Sequence, residues 1–349
     1  MRDKDNVTRH GAITGAALGA LGVLGFSMSL PATRVAVADL DPWLVAFGRA
    51  VGAGLLAVAY LALVRAPRPT PAQWRRLAIV AFGVVAGFPL FTSLALQTST
   101  AAHGAVVIAL LPAVTAGFAV LRARERPAPA FWFAGAAGLL AVLAFLVLGG
   151  AVSGAAGPAD LFLLAAIGCC GLGYAEGGAL SRELGGARTI CWALVLALPV
   201  TIPVTALSAL HHPPHATTPA AAWAGLGYLT VVSMFLGFFA WYAGLARGGV
   251  ARVGQVQLAQ PVLTLCWSAL LLHEPVPPRA AVAAVAVLLC VAATQRLRAT
   301  PSGAPAPLPP AGAPAPSPRP VVRAAAPGGA PAPLSPGGAS VPSPRAGGL

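Results

Sequence analysis

The chain has 349 residues, of which 57% are hydrophobic and 9% charged, with a mean hydropathy of +0.79 and a formal net charge of +13. Soluble domains carry roughly 25% charged residues, and here apolar sequence is spread along the chain, which excludes a water-soluble globular protein. The positive charge falls in loops and tail between apolar runs, so it is no nucleic-acid footprint.

In chain order, a charged leader over residues 1–11 precedes apolar runs near the 20 residues needed to cross about 30 Å of hydrocarbon. The runs predict ten helices at about 12–31, 43–64, 77–97, 102–121, 129–149, 161–180, 190–209, 223–245, 253–272 and 279–296. The first resembles a signal peptide, but the nine that follow favour an uncleaved helix. Residues 298–349 are rich in Pro, Ala and Gly and read as a disordered tail. Cys169, Cys170, Cys191, Cys266 and Cys290 all lie in apolar runs and imply neither a disulfide framework nor a metal site. His211, His212 and His215 fall in a loop with proline and no acidic or thiol company, a poor metal site.

With the N-terminus inside, the loops up to residue 279 carry 14 Lys and Arg on the cytoplasmic side and two, Arg34 and Arg279, on the other. That asymmetry predicts a multi-pass protein of the cytoplasmic membrane with both termini cytoplasmic.

The sequence also repeats. At an offset of 149 residues Ala102, Val107, Pro112, Thr115, Leu121 and Glu125 match Ala251, Val256, Pro261, Thr264, Leu270 and Glu274, six identities in 24 aligned positions. Gly19 and Gly22 map onto Gly168 and Gly171 at the same offset. Two units of five helices, 12–149 and 160–297, must then cross the membrane in opposite senses, because five is odd. The predicted fold is all-α: ten transmembrane helices as two inverted-topology repeats, an arrangement that places a transporter's site between the halves near the midplane.

Polar groups inside spans are costly and mark cavities or partners. Arg49 reads as an outer-gate or anion-binding charge, or as an arginine snorkelling to the headgroups. Glu176 reads as a proton carrier, or as an interfacial partner of Arg182. Gln257 and Gln260 share a helix face beside Pro261, which removes a backbone hydrogen bond; they read as a pocket wall or as interhelical amide contacts. Gln97 and His103 fall at helix ends where they could line an outer vestibule, and Trp241 and Tyr242 are either substrate-stacking or interfacial-belt aromatics. Pro112 and Pro261 are helix-break candidates, and Glu125 and Glu274, one per repeat, are candidates for a paired gating or helix-holding role.

The order LLP, twelve residues and Glu closing the fourth helix, then LAQP, twelve residues and Glu closing the ninth, resembles the EamA-type permeases of the drug/metabolite transporter superfamily. Arg49 in AFGRAVGAGLLA, the segment SLALQTSTAAHG and the segment FFAWYAGLARG are similar to the same family's second helix, third-to-fourth junction and eighth helix end. The resemblance covers residues 12–297; RARE before Glu125 and the presence of Glu176 depart from it. It implies a secondary transporter, an exporter of amino acids or other small metabolites linked to protons. Export of lipophilic cations and metabolite uptake are the alternatives; a channel or membrane-embedded enzyme fits less well, for want of a filter motif or a catalytic constellation. The expected partners are a small-molecule substrate, protons and the lipid bilayer, with no cofactor, no metal and no nucleic acid, in a monomer or homodimer.

Overall fold

A computed structural model describes residues 2–122 and 157–274, with a few single positions beyond them. The described residues are helical, in thirteen α-helices: α1 (Arg2–Ser27), α2 (Ser29–Asp39), α3 (Pro42–Leu63), α4 (Pro71–Val80), α5 (Phe88–Thr98), α6 (Ala101–Ile108), α7 (Leu111–Arg122), α8 (Pro158–Leu184), α9 (Gly186–His211), α10 (Ala220–Tyr228), α11 (Gly237–Gly248), α12 (Val250–Gly254) and α13 (Gln260–Leu272). Joined end to end, they give eight helices long and apolar enough to cross a membrane. Exposed Leu55, Leu63, Phe82, Leu161, Val200 and Leu207 face outward, as lipid-facing positions do. The chain is a multi-pass membrane protein. The expected fifth and tenth helices, Glu125 and the tail lie outside the described residues.

The first span runs further than its apolar run suggested, to Asp39, because Pro31 sits in the first turn of α2, where its missing N–H is not needed. The Ser27 carbonyl at the α1–α2 break instead accepts the Thr264 hydroxyl at 2.7 Å, and Trp267 donates to the Ser27 hydroxyl at 3.0 Å. Arg34, expected in a loop, lies inside α2 and donates to the carbonyls of Leu96 and Gln97 at the end of α5, where a cation is favoured by the helix dipole.

Irregular turns recur along the chain. A π-helical segment joins α4 to α5 over Ala81–Gly87, and another joins α10 to α11 over Leu229–Leu236. Leu229 follows Ala81 by 148 residues. α6 breaks before α7 restarts at Leu111, and α12 passes through a 3₁₀ turn, Gln255–Ala259, before α13 restarts at Gln260, 149 residues later. Pro112 and Pro261 are each the second residue of the restarted helix.

Packing is between sequence-distant elements: α1 on α11, α3 on α9, and α5 and α7 on α8. The α1–α11 crossing is close. A Cβ at Gly244 would lie 2.7 Å from the Gly19 nitrogen, and one at Gly15 would lie 2.7 Å from the Gly248 nitrogen. Two glycine pairs, each spaced by four, thus let the backbones touch, which lipid-embedded helices use in place of a hydrophobic drive.

Candidate functional site

Where these helices converge, α1, α2, α3, α8, α11 and the broken stretch before α13 surround a cavity of about 10 Å³, room for about one water. Arg49 reaches it from the middle of α3. The residue is 2% exposed, and its Nε and Nη1 atoms are buried without a hydrogen-bond partner. Snorkelling is therefore not what Arg49 does. Gln257 and Gln260 line the same cavity, and Gln257 Nε2 donates to Gln260 Oε1 at 3.3 Å, leaving Gln257 Oε1 unpartnered. The 3₁₀ turn brings both amides to one wall, which a continuous α-helix ending at Pro261 would not require.

Part of the lining is aromatic. Phe26, Tyr174 and Phe238 pack with ring centroids 4.9–6.3 Å apart, and Ser29 and Ser233 are hydrogen-bonded at 2.7 Å between α2 and the π segment. None of these five was singled out in the sequence, because an aromatic or serine in an apolar run is indistinguishable from ordinary packing until its neighbours are known.

Trp241 and Tyr242 are elsewhere. Both are fully buried, so an interfacial belt is overturned as their role. Tyr242 donates to the Gly173 carbonyl at 3.1 Å, and Trp241 packs on Gly22 and the Tyr174 ring, behind the cavity wall.

Two polar clusters lie toward opposite ends of the described helices. At the end where α4 begins and α8 finishes, Arg76 binds both Glu176 and Glu183, and Gln73 donates to Glu183 at 3.1 Å. Glu176 is almost fully buried, and it accepts from Arg76 across 100 positions of sequence. Arg76 had counted only as one topological charge among many.

At the far end of the same spans, His103 Nε2 lies 2.7 Å from Asp160 Oδ1, tying α6 to α8. Beside it the Glu274 carboxylate accepts the Ala101 and Ala102 amides at 3.2 and 3.0 Å. A negative charge at the end of α13, unfavourable for its own helix, is thus favourable at the N-terminus of α6. Gln97 is exposed in a separate polar pocket of about 380 Å³ with Asp39, Asp41, His211, His212 and His215. No group of three or more His, Cys, Asp or Glu among the described residues is arranged to hold a metal.

The chain is 47% identical over 297 residues to a Bacillus subtilis (strain 168) protein described as the uncharacterized transporter YdeK, covering 83% of this chain and 99% of that one. A solved structure, titled only as a crystal structure of protein, superposes with a TM-score of 0.62 at 20% identity, covering 81% of this chain and 98% of the other, a likeness of fold alone. The model of the EamA-like transporter family matches twice, over residues 13–147 and 157–294. The chain belongs to the EamA-like transporter family, as a multi-pass membrane transporter.

Proposed function

We propose that the protein is a secondary active transporter that exports an amino acid or related small metabolite across the cytoplasmic membrane, in exchange for protons, by alternating access. The two units, 12–149 and 160–297, are read as inverted five-helix repeats in a ten-helix bundle with both termini cytoplasmic. The Arg76 end is then the inner end and the His103 end the outer.

One observation carries this reading: a nearly closed cavity holding Arg49, Gln257 and Gln260 lies between two cross-links, each tying the first repeat to the second. Arg76 to Glu176 and Glu183 closes the inner end. His103 to Asp160, with Glu274 on α6, closes the outer. Both ends are shut around a space far smaller than the roughly 300 Å³ of a ligand pocket, which is the occluded stage of such a cycle. Opening one end at a time requires one cross-link to break while the other holds.

Glu176 supplies the coupling in this scheme. A proton entering from outside neutralises its carboxylate, weakens its hold on Arg76, and frees the inner end to open. Release of that proton to the cytoplasm restores the carboxylate, and re-pairing closes the inner end behind newly loaded substrate. The test is made in everted vesicles carrying the overexpressed protein, with an acidic lumen and a pH-sensitive dye. Addition of a transported amino acid is expected to draw protons out of the lumen, and Glu176→Gln to lose that response while staying in the membrane. Equal coupled transport by the variant overturns the role of Glu176; no substrate-dependent flux of any amino acid overturns the exporter.

A further inference from the structure

We propose that Arg49 is the anchor for a carboxylate, so that the bound substrate itself is the counter-charge of this guanidinium and the site rejects cations that lack one. Binding alone is claimed here; only the movement of the ligand rests on the transport reading above.

The starting point is an imbalance. A buried cation is normally paired or neutralised, yet Arg49 is 2% exposed, two of its nitrogens have no partner, and among the described residues none that lines its cavity is acidic. The carboxylates with recorded partners are committed elsewhere: Glu176 and Glu183 to Arg76, Asp160 to His103, Glu274 to the α6 amides, and Asp41 to Ser208. A planar guanidinium with free N–H groups fits a carboxylate through two parallel hydrogen bonds. An ammonium in the same space meets only like charge.

Two neighbours extend the fit. Gln257 lines the same cavity, and its unpartnered Oε1 is an acceptor for an N–H from a group beside the carboxylate. The Phe26, Tyr174 and Phe238 rings offer an apolar wall for the remainder of the molecule. The ligand is then a carboxylate with an adjacent amino or amide N–H and an apolar body. A lipophilic cation satisfies none of the unpaired donors and opposes Arg49.

The experiment is calorimetric binding to the purified full chain with ligands of one shape and different charge: leucine, 4-methylpentanoate, leucinamide and 3-methylbutylamine, with the phenylalanine-based set beside them. The two carboxylate-bearing members of at least one set are expected to bind, and the amide and amine at least tenfold more weakly. Arg49→Gln should weaken carboxylate binding at least tenfold, with Arg49→Lys in between. Gln257→Leu should weaken the amino acid and spare the deaminated acid. Should Arg49→Gln fail to fold, the ligand series on the unaltered protein decides alone. Equal binding of amide or amine, carboxylate binding indifferent to Arg49, or binding of no carboxylate overturns the proposal. Counterflow in proteoliposomes separates it from the transport reading. Arg49-dependent carboxylate binding without counterflow leaves the anchor and removes the transporter; counterflow of the amine alone does the reverse.

Discussion

At the residue scale, the meaning of a charge depends on what surrounds it. Arg49, Gln257 and Gln260 were visible in the sequence because polar groups inside apolar runs are expensive, and the structure brings all three to one cavity. Arg76 and Asp160 were not, since charges at helix ends look like ordinary topological or capping residues until a partner 100 positions away, as for Arg76, or 57 away, as for Asp160, is known. Glu176 lies between these cases: the sequence marks the carboxylate but not its partner. Disrupting the Arg76 cluster should favour the inward-open form. Arg76→Gln is therefore expected to leave the protein folded and to raise the rate at which a cysteine-directed reagent reaches a cysteine placed at Ser29, applied from the cytoplasmic side; an unchanged rate counts against Arg76 as a closure. Glu274 acts through a helix terminus, worth about 0.3–1 kcal/mol for an exposed charge. Glu274→Gln should lower the thermal midpoint modestly, and a rise in midpoint would show that its charge is not held by α6.

At the element scale, what departs from ideal helix is what builds the site. The π segments, the α1–α2 break and the 3₁₀ turn before α13 all border the cavity or supply its walls. Composition predicts where a span is, but not where a helix changes pitch: Pro261 hinted at one break, while the valine- and glycine-containing π segment Ala81–Gly87 carries no signature residue. The same holds for the first span, where Pro31 looked like an end and is a first-turn residue instead. Tight crossings are more legible, since Gly19 and Gly22 stood out as repeated positions. Gly244→Ala places a methyl against the backbone of α1 and should destabilise by about 1–3 kcal/mol, the usual cost of overpacking. Gly227→Ala, on the exposed face of α10 with nothing within 4 Å of the added carbon, should be neutral or gain about 0.5–1 kcal/mol of helix propensity. Thermal unfolding of both in the same detergent checks the pair, and equal midpoints would contradict backbone contact between α1 and α11.

At the scale of the whole molecule, the proposed cycle needs closures at both ends and a binding cavity between them. A channel needs one continuous path; a transporter must never open both ends together. The sequence carries a 149-residue repeat, and the π turns and helix restarts recur at nearly the same offset, which composition alone does not reveal. The most direct measurement is pulsed electron–electron resonance between spin labels, introduced as unnatural amino acids so that the native cysteines stay in place. One pair, at Ala72 and Arg188, reports on the Arg76 end, and another, at Thr98 and Leu161, on the His103 end. Acidification, and separately Glu176→Gln, should lengthen the first distance while the second stays short, and ligand with a restored carboxylate should return both to the closed values. Both distances lengthening together, or neither responding, would contradict alternating access through these two closures.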